Sequence, residues 1–320
     1  MKNIMDRSNK KPLEGIVPPL ITPLLSRDQL DVAGHERLIE HVLKGGVHGL
    51  FILGTSGEAP SLSYRLRREL ISRTCKIVAG RAPVLVGITD TSLEEALGVA
   101  RSAAEAGAQA VVSSTPYYFP SGQPELISFF RQLVAELPLP LYLYNMPMMT
   151  KTPFEPDTVR QLAQLEGIIG VKDSSGDINY FRQVVEVSKI RPDWRLFIGP
   201  EHLLVECIRL GGHGGVNGGG QIDPKLLVGL YDAARRGEQA QVSALVRRLS
   251  VLGKIYQAGQ YASTVIKGMK CALSLMEICS DELAPPMTRF APAERQKIAK
   301  VLEELGLIRS SVSQPAEALT

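Results

Sequence analysis

The sequence predicts an α/β protein, a (β/α)8 TIM barrel with a C-terminal helical extension. Three observations carry that expectation. Short apolar runs rich in Val, Ile, Leu and Tyr recur along the chain, each followed by a helix-period pattern. Alternation of this kind makes a parallel sheet with helical crossovers. Eight such units in about 220 residues suit a closed barrel better than an open doubly wound sheet. The open sheet is weakened further because no G-x-G-x-x-G follows a strand and no Walker A sequence occurs.

The strand candidates are GIVPPLIT (15–22), HGLFILG (48–54), APVLVGI (82–88), AQAVVSST (108–115), LPLYLYNM (139–146), IIGVKD (168–173), RLFIGP (195–200) and GGVNGGG (214–220). Glycine weakens the last, which rests on spacing. Between them lie helix patterns. DVAGHERLIEHVLKGG puts Leu38, His41 and Val42 on one face and stops at Gly45. SLSYRLRRELISRTCKIVAG keeps Leu62, Leu66, Leu70 and Ile71 in register and ends at Gly80. TSLEEALGVARSAAEAG opens with Ser92 as N-cap and Glu95 three residues on, a capping box. From Pro224 onward the patterns are helical only: PKLLVGLYDAARRGE closes the barrel, and three further helices form the extension. The expected division is a catalytic barrel over 13–235, a helical domain over 236–308, and flexible termini at 1–12 and 309–320.

Composition excludes several functions. The 36 basic and 33 acidic residues leave a net charge of +3, with no concentrated basic face for nucleic acid. The opening MKNIMDRSNKKP has no apolar core for a signal peptide, and no apolar run reaches the roughly 20 residues of a membrane span. A cytoplasmic protein is expected. The 4 cysteines make no C-x-x-C pair and the 5 histidines no H-E-x-x-H, so no metal and no bound cofactor are assigned.

In a barrel of this kind, chemistry collects at the C-terminal strand ends. Lys172 ends the apolar run IIGVK. Burial there lowers an ammonium's pKa toward the free amine, which attacks a ketone to give an imine. An ion pair with Asp173, or a lysine snorkelling at the barrel mouth, also fits the position. Tyr144, Tyr117 and Tyr118 can pass protons, or can line the barrel with satisfied hydroxyls. Thr55 and Ser56, in the glycine-bracketed turn GTSGE, can present hydroxyls and N–H groups to a carboxylate, or can bond their own backbone. The glycine-rich run 211–221 can hold phosphate or pack closely; it contains no Lys or Arg.

Taken together, GTSGE (54–58), TPYY (115–118), YNMP (144–147) and GVKDSSGD (170–177) resemble the dihydrodipicolinate synthase / N-acetylneuraminate lyase family. The resemblance covers most of the chain. It implies a class I aldolase in which Lys172 forms a Schiff base with pyruvate, or with the pyruvate half of a 2-keto acid, with no external cofactor. Tyr144 matches the tyrosine that relays protons over the imine, and Thr55 the threonine linking it to a second tyrosine. Tyr118 matches that second tyrosine, which in the synthases reaches in from a neighbouring subunit of a homotetramer. Ser56 matches the residue that holds the pyruvate carboxylate. Gly199 and Val216 match positions lining the site.

Two departures bear on the substrate. Met149 aligns with the arginine that grips aspartate semialdehyde in the synthases, and a thioether cannot make the bidentate pair an arginine makes with a carboxylate. Tyr64, Arg67 and Thr91 stand where members inhibited by lysine have His, His and Asn. The sialic acid lyases carry an apolar residue near Met149, but their Asp-Glu pair after strand seven is Glu201–His202 here. The expected function is therefore a pyruvate-dependent aldolase or lyase acting on a 2-keto-3-deoxy sugar acid or related 2-keto acid. The alternative is 4-hydroxy-tetrahydrodipicolinate synthase, condensing pyruvate with aspartate semialdehyde, with Lys151 as the nearest substitute for the missing arginine. A dehydratase, or a non-catalytic keto-acid sensor, are lesser readings.

Overall fold

Each strand carries two sets of side chains, and period-two alternation sends them to two different cores. The computed structural model describes residues 12–309. Within them eight parallel strands form one sheet: β1 (Gly15–Ile16), β2 (Leu50–Ile52), β3 (Val84–Gly87), β4 (Ala110–Ser114), β5 (Leu141–Asn145), β6 (Ile168–Asp173), β7 (Arg195–Ile198) and β8 (Gly214–Gly215). Each strand pairs with the next in sequence from β2 to β8, and β8 pairs with β1. A parallel bridge between Pro19 and Phe51 returns the β1 segment to β2, with Leu20 N–H donating to the Phe51 carbonyl at 2.8 Å. That bridge closes the barrel.

The inward set (Val17, Phe51, Leu85, Val112, Tyr142, Tyr144, Phe197 and Val216 among them) packs as a separate cluster inside the ring. The outward set (Leu50, Ile52, Val84, Val86, Val111, Leu143 and others) joins the apolar faces of the helices in the main core. Gly170 on β6 lets the inner layer pack: a Cβ there would sit 2.1 Å from the Arg195 carbonyl and 2.7 Å from the Tyr142 ring.

A helix follows each strand, and the ring of crossovers runs from Val32–Lys44 to Pro224–Arg236. Side chains that accept backbone N–H bonds start many of them: Asp31, Ser63, Ser92, Asp177 and Asp223. At Ser92 only half of the expected box is made: its hydroxyl accepts from Glu95 N–H, while Asp90 takes the Ser92 N–H. Helices Gln239–Gly253, Thr264–Leu275 and Pro292–Glu304 form the extension.

Two strands fall furthest short of the lengths the sequence suggests. β1 stops at Ile16 rather than at residue 22, because Pro18 and Pro19 have no N–H for a ladder. β8 stops at Gly215, and Gly218–Gln221 turns into a 3₁₀ helix. The flexible termini expected at 1–12 and 309–320 lie almost wholly outside the described residues.

Candidate active site

Strand register brings the reactive side chains together. Tyr144 on β5 sits opposite Lys172 on β6, which sits opposite Phe197 on β7. All three face the barrel interior at its C-terminal end. The Lys172 nitrogen lies 4.0 Å from the Tyr144 ring centroid and 5.0 Å from that of Phe51. Lys172 is only 5% exposed. Burial pushes its pKa below the ordinary value of 10.5, while the Tyr144 hydroxyl and Asp173 pull weakly the other way. The direction favours the neutral amine.

Asp173 does not form an ion pair with Lys172. The pleat turns it to the opposite face, where it accepts from Asn145 Nδ2 at 2.8 Å, Ser175 N–H at 3.1 Å and Ser175 Oγ at 2.9 Å. Asn145 in turn accepts from Phe154 N–H at 3.1 Å. This network locks the ends of β5 and β6 in register behind Tyr144 and Lys172.

Thr55 Oγ1 lies 3.2 Å from the Tyr144 hydroxyl. Ser56 shares the turn and is half-buried. Gly199 backs the β6 end: its N–H donates to the Asp173 carbonyl at 2.7 Å, and a Cβ would collide with Ser174 Oγ at 1.9 Å. Val216 packs in the inner cluster with Tyr144 and Phe197. Tyr118 is the exception. It is 84% exposed, has φ of 85°, stacks edge-on against Phe119, and stands away from the Thr55–Tyr144 pair of its own chain. Tyr117 rather than Tyr118 faces the cavity beside them, its pKa raised first by burial.

That cavity encloses about 320 Å³ and is bordered by Thr55, Tyr144, Met146, Met149, Ile266 and Met287 among others. Its hydroxyls come from Thr55, Ser61, Thr89, Ser114, Thr150 and the two tyrosines. No Lys or Arg side chain borders it among the described residues, and Lys172 lies just behind Tyr144 rather than in its wall. Met149 sits in the short helix Pro147–Thr150, where a loop was expected. Lys151 turns away in the left-handed conformation and donates to the Met148 carbonyl at 2.9 Å.

Sequence reading missed Glu58 and Lys270. Their side chains form a fully buried ion pair at 2.5 Å, and Glu58 borders the cavity. Burial raises the Glu58 pKa and lowers that of Lys270, each opposed by the partner's charge. Glu58 was legible within GTSGE. Lys270 hides in an apolar helix whose partner lies 212 residues earlier, the difference between the two positions. Tyr64 and Arg67, aligned with the feedback site, both engage Asp90: the Tyr64 hydroxyl donates at 2.8 Å and Arg67 Nη1 at 3.3 Å. The Glu201 carboxylate accepts from Gly219 N–H at 2.7 Å behind the β7 and β8 loops.

Comparison with known proteins gives the family. The model of the dihydrodipicolinate synthetase family matches residues 12–305. A 4-hydroxy-tetrahydrodipicolinate synthase of Methanoculleus marisnigri is 32% identical over 295 residues, 92% of this chain and 99% of that protein. A probable 2-dehydro-3-deoxy-D-pentonate aldolase of Escherichia coli K12 is 31% identical over 302 residues, 93% and 99% of the two chains. The solved structure of dihydrodipicolinate synthase from Bacteroides thetaiotaomicron superposes with a TM-score of 0.89 at 51% identity, covering 92% of this chain and all of that one. The chain is a lyase and belongs to the dihydrodipicolinate synthetase family.

Proposed function

We propose that the protein is a Schiff-base aldolase that cleaves or forms a 2-keto-3-deoxy sugar acid or a related 2-keto acid, with pyruvate as one half. The observation that carries this reading is the cavity beside Tyr144: it offers hydroxyls and thioethers but no cation for a second carboxylate. Lys172 is the nucleophile. Its free amine adds to the C2 carbonyl carbon, and the carbinolamine hydroxyl takes a proton from solvent and leaves as water, giving the iminium. In cleavage, the C4 hydroxyl proton passes to the Tyr144 oxygen while the Tyr144 proton moves to Thr55 and the Thr55 hydroxyl proton moves on to solvent. The C3–C4 electron pair enters the iminium, and the aldehyde leaves. The resulting enamine takes a proton at C3, and water returns pyruvate and the free amine. Ser56, with its hydroxyl and N–H, holds the pyruvate carboxylate; Gly199 and Val216 shape the wall. Tyr118 serves the site of a neighbouring copy in a homotetramer, a role its exposure supports.

A second reading has its own support. The 51% identity to the Bacteroides thetaiotaomicron protein, described as a dihydrodipicolinate synthase, favours condensation of pyruvate with aspartate semialdehyde. Two assays separate the readings. Borohydride reduction with pyruvate should add mass at Lys172; an unmodified lysine rejects both. A coupled assay with aspartate semialdehyde, run beside cleavage of 2-keto-3-deoxy sugar acids, then decides. Turnover of the semialdehyde at a kcat/KM above that of every sugar acid rejects the first reading.

A further inference from the structure

We infer that the C-terminal extension sets the length of the aldehyde the site accepts, through Ile266 and Met287, with the Glu58–Lys270 ion pair holding both in place. The inference rests on the aldolase reading above and adds to it the residues that measure the substrate.

The barrel supplies the reactive end of the cavity, Tyr144 and Thr55, whereas Ile266 and Met287 are the side chains the extension contributes. Both are half-buried, so they form wall rather than core. Neither carries a charge or a strong hydrogen-bonding atom, the Met287 thioether being only a weak acceptor. Such a wall discriminates by size, not by hydroxyl pattern.

Glu58 ties the wall to the barrel. Ile266 and Lys270 are four residues apart in the helix Thr264–Leu275 and so share a face. Lys270 Nζ reaches Glu58 at 2.5 Å and the Glu282 carbonyl at 2.5 Å. Ala284 N–H donates to the other Glu58 oxygen at 2.8 Å, three residues before Met287. Glu58 closes the turn that begins with Thr55. One carboxylate thus fastens the turn beside Tyr144 to both segments of the wall.

The test measures kcat/KM for acetaldehyde, butanal and hexanal in condensation with pyruvate. The wild-type value should fall along the series. Met287→Ala and Ile266→Ala should raise the hexanal-to-acetaldehyde ratio by about ten-fold or more, the discrimination that one or more methylenes carries in an apolar pocket. Ile266→Phe should lower the same ratio, and does not depend on the alanine variants folding. Glu58→Gln, as a positioning variant, should blur the ratio and be rescued in part by Glu58→Asp. Ratios unchanged in the shrinking and the enlarging variants overturn the inference. Borohydride trapping on every variant keeps the two levels apart: loss of trapping in the wild type rejects the aldolase reading, whereas intact trapping with an unmoved ratio rejects only the wall.

Discussion

The Lys172 amine lies 4.0 Å from the centre of the Tyr144 ring, and the Tyr144 hydroxyl is 3.2 Å from Thr55 Oγ1. The proposed nucleophile and the proposed proton relay therefore sit on adjacent strands in direct register. Tyr144→Phe removes the relay and keeps the ring. It should lower kcat by about 10²–10⁴-fold, the usual weight of general acid–base catalysis, while pyruvate is still trapped on Lys172. Lys172→Arg should abolish trapping. Because burial lowers the Lys172 pKa, the rate of imine formation should rise with pH and level off below 10.5. A rise that continues through the ordinary lysine range would count against a depressed amine.

Met149 is 43% exposed at the cavity rim, with room for a longer side chain. Met149→Arg should improve kcat/KM for a carboxylate-bearing aldehyde by roughly ten- to a hundred-fold, from about 1.5–3 kcal/mol for a hydrogen bond to a charged group. Uncharged aldehydes should gain nothing. Equal gains on both would show that Met149 does not face the second substrate.

Glu58 and Lys270 are buried together, so removing one leaves the other uncompensated. Lys270→Met should cost about 3–5 kcal/mol of stability, read by urea unfolding. Adding Glu58→Leu should restore most of it, since a buried pair exchanged for apolar side chains is often neutral. A double variant no more stable than the single one would mean that the pair contributes net stability of its own.

His35 is buried, with Nε2 2.8 Å from Thr74 Oγ1, and its pKa falls from 6.5 to about 4, chiefly through burial and secondarily through Arg73. A folded-state pKa below the unfolded value means that the unfolded chain binds the extra proton. Stability is then fully present above pH 6.5 and lost as pH falls toward about 4. The loss amounts to about 3 kcal/mol at about 1.4 kcal/mol per pH unit. Urea titrations at neutral and acid pH should show it, and His35→Gln should flatten the slope across that window.

The strand–helix order was legible because each barrel strand is buried on both faces and reads as a short apolar run. Lys172 stood out for the same reason, as a cation ending such a run. Strand length was less legible at both ends of the ring. Pro18 and Pro19 were read as strand, and so were residues 218–220 at the other end, because apolar content and spacing do not report which backbone groups find ladder partners. The methionine loop carried a short helix that no periodicity of four residues could announce.

The sequence by itself determined the barrel and the family, and it singled out Lys172, Tyr144 and Thr55 as candidates, since these depend on local pattern and motif spacing. Tertiary structure alone decided what surrounds them. Asp173 proved to brace Asn145 rather than to pair with Lys172, because adjacent residues in a strand face opposite ways. Tyr118 stood away from the site of its own chain. Glu58 met Lys270 across more than two hundred residues of intervening chain, and Ile266 and Met287 came to border a barrel cavity. Contacts between distant segments arise from the closure of the barrel and the docking of the extension on it, and no local pattern encodes them.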